Sequence, residues 1–118
     1  MLKFLCLVYF EPEAVNGLSP QEKTTLDRDS MAYDEELRRR GRYLVAEALD
    51  PVGRARTIRL RRGKRAVTDG PFAETKEHLG GFILVDAADM NEALDLAAGI
   101  PLAKLGSIEV RPVMTIGG

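Results

Sequence analysis

Nine residues near the amino terminus, Leu2 to Phe10 (LKFLCLVYF), leave the chain few options, because a strand built from them is apolar on both faces. Strand side chains alternate with period two, so Leu2, Phe4, Cys6, Val8 and Phe10 point one way and Lys3, Leu5, Leu7 and Tyr9 the other. Such a strand belongs in the middle of a sheet covered on both sides. The segment from Gly81 to Asp86 reads similarly, with Phe82, Leu84 and Asp86 set against Ile83 and Val85. One sheet therefore needs two apolar covers.

Two helices are predicted to supply the first cover. Ser19 is placed to cap, Pro20 takes the first helical position, and Glu22 completes a Ser-x-x-Glu capping box that satisfies orphan amide donors. Leu26, Ser30, Tyr33 and Leu37 recur on one face, and the helix stops at Arg38-Arg39-Arg40-Gly41, where cations suit the negative dipole end. The second helix is capped by Asp89, carries Met90, Ala93, Leu94 and Ala97 as its stripe, and ends before Gly99 and Pro101.

The rest of the chain reads as strands and turns. Glu11 to Leu18 form a loop, and Arg42 to Leu49 a strand with Tyr43, Val45, Glu47 and Leu49 on one face. Thr57 to Arg61 and Arg65 to Thr68 form a hairpin around Arg62-Gly63-Lys64, and Ser107 to Arg111 a last strand closed by Pro112. The order is that of an α+β, ferredoxin-like βαββαβ subunit with an extra β-hairpin. Two helices cover only one face of its sheet. The other would be a wet apolar patch in a monomer, which predicts a homodimer paired face to face around a cavity. A standard stable interface buries roughly 1,600 Å² in total, about what such a face supplies.

With 118 residues, 45% of them hydrophobic and 30% charged, and a net charge of -1, the chain fits one domain spanning 1–118 and no surface built throughout for nucleic acid. The apolar start runs into Glu11-Pro12-Glu13 and is far short of the roughly 20 residues that span a bilayer, so no leader and no membrane segment is read there. The lone Cys6 excludes an internal disulfide and fits a reducing, cytoplasmic setting. One His and one Cys supply no conventional zinc site, and Gly80-Gly81 precedes a strand instead of opening a helix as a phosphate loop would; neither a metal nor a cofactor is expected.

The most heavily specified turn is Asp69-Gly70-Pro71-Phe72, continued as Ala73-Glu74-Thr75-Lys76-Glu77 and then Leu79-Gly80-Gly81-Phe82. Asp bonds its own backbone, Gly accepts positive φ, and Pro fixes the exit direction. With the closing Glu109-Val110-Arg111-Pro112-Val113, this stretch resembles the signature of the YCII-related family, specifically its DGPF branch, and the likeness extends through nearly the whole chain. The resemblance implies a ferredoxin-like subunit pairing into a dimeric α/β barrel. It assigns no reaction: related dimeric barrels include isomerases, dehalogenating lyases and cofactor-free oxygenases. It also raises an alternative, a non-catalytic accessory module linked to extracytoplasmic-function sigma factor signalling.

Several polar residues are expected to line the cavity between paired sheets. Asp69 is the first candidate for a catalytic base, because its turn holds it rigidly and burial would raise its pKa. His78 is the second, as the only side chain whose ordinary pKa lies near neutrality. Tyr9, Tyr43, Glu47, Phe72, Glu109 and Arg111 are expected as lining residues for a small organic ligand, with Arg111 able to grip a carboxylate through its planar fork or to pair with Glu109. Glu74, Lys76 and Glu77 read as a solvated loop. Between Arg54 and Arg65 stand seven basic residues and no acidic one, read as a solvated hairpin whose charges discourage edge pairing.

Overall fold

The computed structural model describes residues 1–117. Strand β1 (Leu2–Phe10) is followed by a short helix α1 (Pro12–Asn16), the long helix α2 (Pro20–Arg39) and β2 (Tyr43–Ala48). Next come β3 (Arg56–Arg61), β4 (Lys64–Asp69) and β5 (His78–Ala87), then α3 (Met90–Ala98) and β6 (Ser107–Pro112). Four strands form one antiparallel sheet in the order β2-β5-β1-β6, with β1 and β5 central, while β3 and β4 form a separate two-stranded ribbon. This is the ferredoxin-like α+β arrangement with an added hairpin.

Local chemistry accounts for the helices. Ser19 Oγ accepts from the Glu22 amide at 3.1 Å while Glu22 Oε1 accepts from the Ser19 amide at 2.9 Å, so both halves of the capping box form. Asp89 Oδ1 caps α3 by accepting from the Glu92 amide at 2.9 Å. The segment after β1 is not the loop expected: Pro12 at the first turn and the acidic Glu13 beside the positive end of the dipole support one short helix.

The helices lie on one face of the sheet. Phe4, Cys6 and Val8 of β1 and Ile83, Val85 and Ala87 of β5 are buried with Leu37 of α2, with Ala93, Leu96 and Ala97 of α3, and with Ile100. The opposite face carries Leu5, Leu7, Phe82 and Leu84, all only half-buried.

Two irregularities change the register read from sequence. The β2–β5 pairing slips between Tyr43 and Val45, so Tyr43 opposes Val85 and Ala46 opposes Ile83, both on the helix side, while Val45 and Glu47 oppose Leu84 and Phe82 on the open side. Strand β5 starts three residues earlier than expected, at His78, because the ladder continues past a second slip near Gly80 and Leu49 donates to the Gly80 carbonyl at 2.9 Å. The ribbon turn is two residues long, with Arg62 at φ 54° and Gly63 at φ 75°, the left-handed pair that matches the twist of a hairpin.

The subunit is flat, 48 × 47 × 18 Å, with a radius of gyration of 16.3 Å against about 13.5 Å for a compact chain of this length. Among the described residues no helix is long and apolar enough to cross a membrane.

Candidate functional site

Two recesses among those on the surface lie next to the candidate residues. The first lies on the helix side, where α2 bridges the ends of β2 and β5. It holds about 340 Å³. Val8, Phe10, Gly80, Gly81 and Ile83 form its floor, and Leu26, Tyr33, Ile100 and Leu102 its walls. Its depth depends on Gly80, since a Cβ there would overlap the Phe10 ring.

Along the α2 side of this recess run Asp27, Ser30 and Asp34, spaced three and four residues apart and therefore on one helical face. Asp34 is half-buried, and burial pushes its carboxyl above the usual range, with Arg38 opposing and Glu35 reinforcing the shift. Tyr33 is anchored, its hydroxyl donating to the Leu96 carbonyl at 2.6 Å, and burial raises its pKa. An apolar floor beside a carboxyl of raised pKa and the Ser30 hydroxyl suits a small ring carrying polar substituents.

The second recess, about 720 Å³, opens beneath the signature turn, between the ribbon base and the open sheet face. Tyr9, Phe72 and His78 meet here, with Thr57, Pro71, Thr75 and Leu79. Gly70 has φ 91°, its carbonyl accepts from Thr57 Oγ1 at 2.9 Å, and the Phe72 carbonyl accepts from Arg59 at 3.2 Å, so the turn is tied to β3. His78 lies on β5 opposite Phe10, three residues before the strand start expected at Gly81.

Of the remaining candidates, Glu47, Glu109 and Arg111 lie on the open sheet face, opposite Phe82, Leu7 and Leu5, and Glu47 also borders the first recess, whereas Asp69 and Tyr43 lie away from both recesses. Asp69 does not face an enclosed space: its carboxylate is exposed at the ribbon end, 3.4 Å from the Arg56 guanidinium, because a turn that fixes backbone direction leaves a strand-end side chain free to point outward. Tyr43, displaced by the slip in β2, lies on the helix side with the Arg38 guanidinium 4.1 Å over its ring. Glu47 is exposed on the edge strand β2. Glu109 and Arg111 pair with each other on the edge strand β6, Arg111 Nε donating to Glu109 Oε2 at 2.9 Å.

The loop from Glu74 to Glu77 is less uniformly solvated than expected. Lys76 pairs with Glu11 at 3.5 Å, and Glu77 is half-buried, accepting from Ser107 Oγ at 3.3 Å. Sequence reasoning missed Asp27 and Asp34. A polar Ser30 inside an otherwise apolar stripe, flanked by acids at the same helical angle, was the available signal.

A ferredoxin-like α+β subunit with a ligand-sized recess between its long helix and its sheet is the class of protein these features define. The chain belongs to the YCII-related domain family, whose pattern matches residues 2–116. An uncharacterized protein of Rhizobium meliloti (strain 1021) is 38% identical over 112 residues, covering 93% of this chain and 90% of that protein. Among solved structures, 5-chloro-2-hydroxyhydroquinone dehydrochlorinase from Burkholderia phenoliruptrix, in complex with 2,5-dihydroxybenzoquinone, superposes with a TM-score of 0.56 at 17% identity, over 96% of this chain and 94% of that one. That likeness is one of fold.

Proposed function

We propose that this YCII-related chain, of the DGPF branch, is a homodimer paired through its open sheet face that binds a small hydroxylated ring in the helix-side recess and exchanges a proton with it through Asp34. The observation that carries the reading is a half-buried carboxyl of raised pKa bordering an apolar recess of about 340 Å³. In the exchange the ring hydroxyl gives up its proton to an Asp34 carboxylate oxygen, and Ser30 holds the ring oxygen in place. The similar fold of a dehydrochlorinase captured with a dihydroxybenzoquinone supports the choice of phenols, hydroquinones and quinones as ligand class. His78 is the second candidate for proton transfer, from the cleft under the signature turn, with Tyr9 and Phe72 beside it. The accessory-module alternative has no specific structural feature in its favour.

The dimer rests on the half-buried Leu5, Leu7, Phe82 and Leu84 of the central strands. Sedimentation is expected to give twice the 13.0 kDa of one chain at micromolar concentration; a single-chain mass overturns the pairing.

Ligand binding is tested by thermal shift with phenols, hydroquinones, quinones and aromatic acids. A ligand at 100 times its Kd adds about 2.7 kcal/mol of stability. The wild type is expected to respond and Ser30→Phe, which fills the recess, to fail to respond. An equal response in Ser30→Phe moves the site away from α2, and silence of the wild type across the set overturns the reading.

A further inference from the structure

We infer that the β3–β4 ribbon is an arm that docks on a second copy of this chain, adding to the sheet-to-sheet pairing on which this inference rests. A two-stranded ribbon is marginal in water without packing against something else. Its two strands are closed on each other at the base, where Gly70 donates to the Ala55 carbonyl at 2.7 Å and the Thr57 hydroxyl to the Gly70 carbonyl at 2.9 Å. Beyond the base its apolar side is bare. Ile58 and Val67 oppose each other across the ladder, Leu60 follows on the same side, and all three are exposed, at 56%, 46% and 65%.

Charge separation supplies the identity of the partner. Arg56, Arg59, Arg61, Arg62, Lys64 and Arg65 against the single acid Asp69 give the ribbon +5, and the other 11 basic and 17 acidic residues leave the rest of the chain at -6. A strongly basic arm on an acidic body has its complement on another copy of itself, whereas a chain with no such separation offers no mutual attraction. Placement agrees with this. The recess of about 720 Å³ at the ribbon base opens on Tyr9 and Leu79, which pair on the open face, so the arm leaves from the side the paired sheets share. A flat subunit 18 Å thick with an arm standing off it also matches a shape completed by a second copy.

The test compares dimer dissociation constants by sedimentation for the wild type, for Ile58→Ser/Leu60→Ser/Val67→Ser and for Arg61→Glu/Arg65→Glu, all at exposed positions, with far-UV circular dichroism confirming the fold. Both variants are expected to weaken the dimer at least tenfold, and the wild-type dimer to loosen as salt rises while the charge variant responds less steeply. Variants as tightly dimeric as the wild type overturn the arm and leave the sheet pairing standing; a monomeric wild type removes both. A fluorescent single-stranded oligonucleotide is added as a competing occupant. If it binds the intact dimer through the ribbon without dissociating it, the arm is free in the dimer and the inference fails.

Discussion

Tyr33 on α2 reaches across to α3, its hydroxyl donating to the Leu96 carbonyl at 2.6 Å over a separation of 63 residues. The bond joins the helix that carries the polar edge of the recess to the helix that closes the core. Tyr33→Phe keeps the ring and removes the donor, leaving the Leu96 carbonyl with the Gly99 amide at 3.2 Å as its remaining partner. The expected cost is about 0.5–1.5 kcal/mol, read as a lower urea midpoint at constant slope. An unchanged midpoint means water replaces the hydroxyl and the two helices are held by apolar contact.

Gly80 and Phe10 share one volume. A Cβ at Gly80 would overlap the Phe10 ring, and the Gly81 position is closed by the Glu47 carbonyl 2.8 Å from a built Cβ. Gly80→Ala is expected to destabilise by about 1–3 kcal/mol through overpacking. Phe10→Leu in the same chain should recover part of that loss, giving a clear coupling between the two positions in a double-mutant cycle. Additive effects would place the clash somewhere other than this ring.

Asp34 has a pKa raised above its ordinary value, mainly by burial. An acid whose folded pKa exceeds its unfolded one contributes its stability below the unfolded value, near 4, and loses it as pH rises through the folded value. Asp34→Asn removes that loss. Its melting temperature relative to the wild type is therefore expected to rise from acid toward neutral pH and then level off. A difference independent of pH would mean that Arg38 compensates burial fully.

Cys6 is fully enclosed, and burial pushes its thiol from 9.0 up to about 11. At pH 8 the native thiolate is scarce and shielded, so a thiol reagent is expected to react only with molecules that have opened, at a rate that tracks added urea. Above pH 9 the unfolded thiol ionises first. Wild-type stability should accordingly fall through pH 9–11 more steeply than that of Cys6→Ala. Rapid labelling under native conditions would show that β1 opens without global unfolding.

Much of the fold was written in local chemistry, and the site was not. Ser19, Pro20 and Glu22 announce the start of α2 by themselves, and the period-two pattern of Leu2 to Phe10 announces a central strand, because both depend on neighbours along the chain. The face taken by Tyr43 depends on how β2 meets β5, forty residues away, and a one-residue slip reverses it. The expected start of β5 at Gly81 falls three residues late, because pairing of His78 with Phe10 carries the strand back through Gly80-Gly81 and only the partner strand encodes that pairing. Asp34 draws its character from burial set up by packing around α2, which no local pattern encodes.

A body 18 Å thick holds one layer of helices on one layer of strands. A ligand held in the proposed recess beside α2 would lie within a slab this thin and so close to solvent. Exchange from such a position would run at the diffusional pace of an unobstructed surface, and differences in affinity among ligands would then be written almost wholly in how long each one stays.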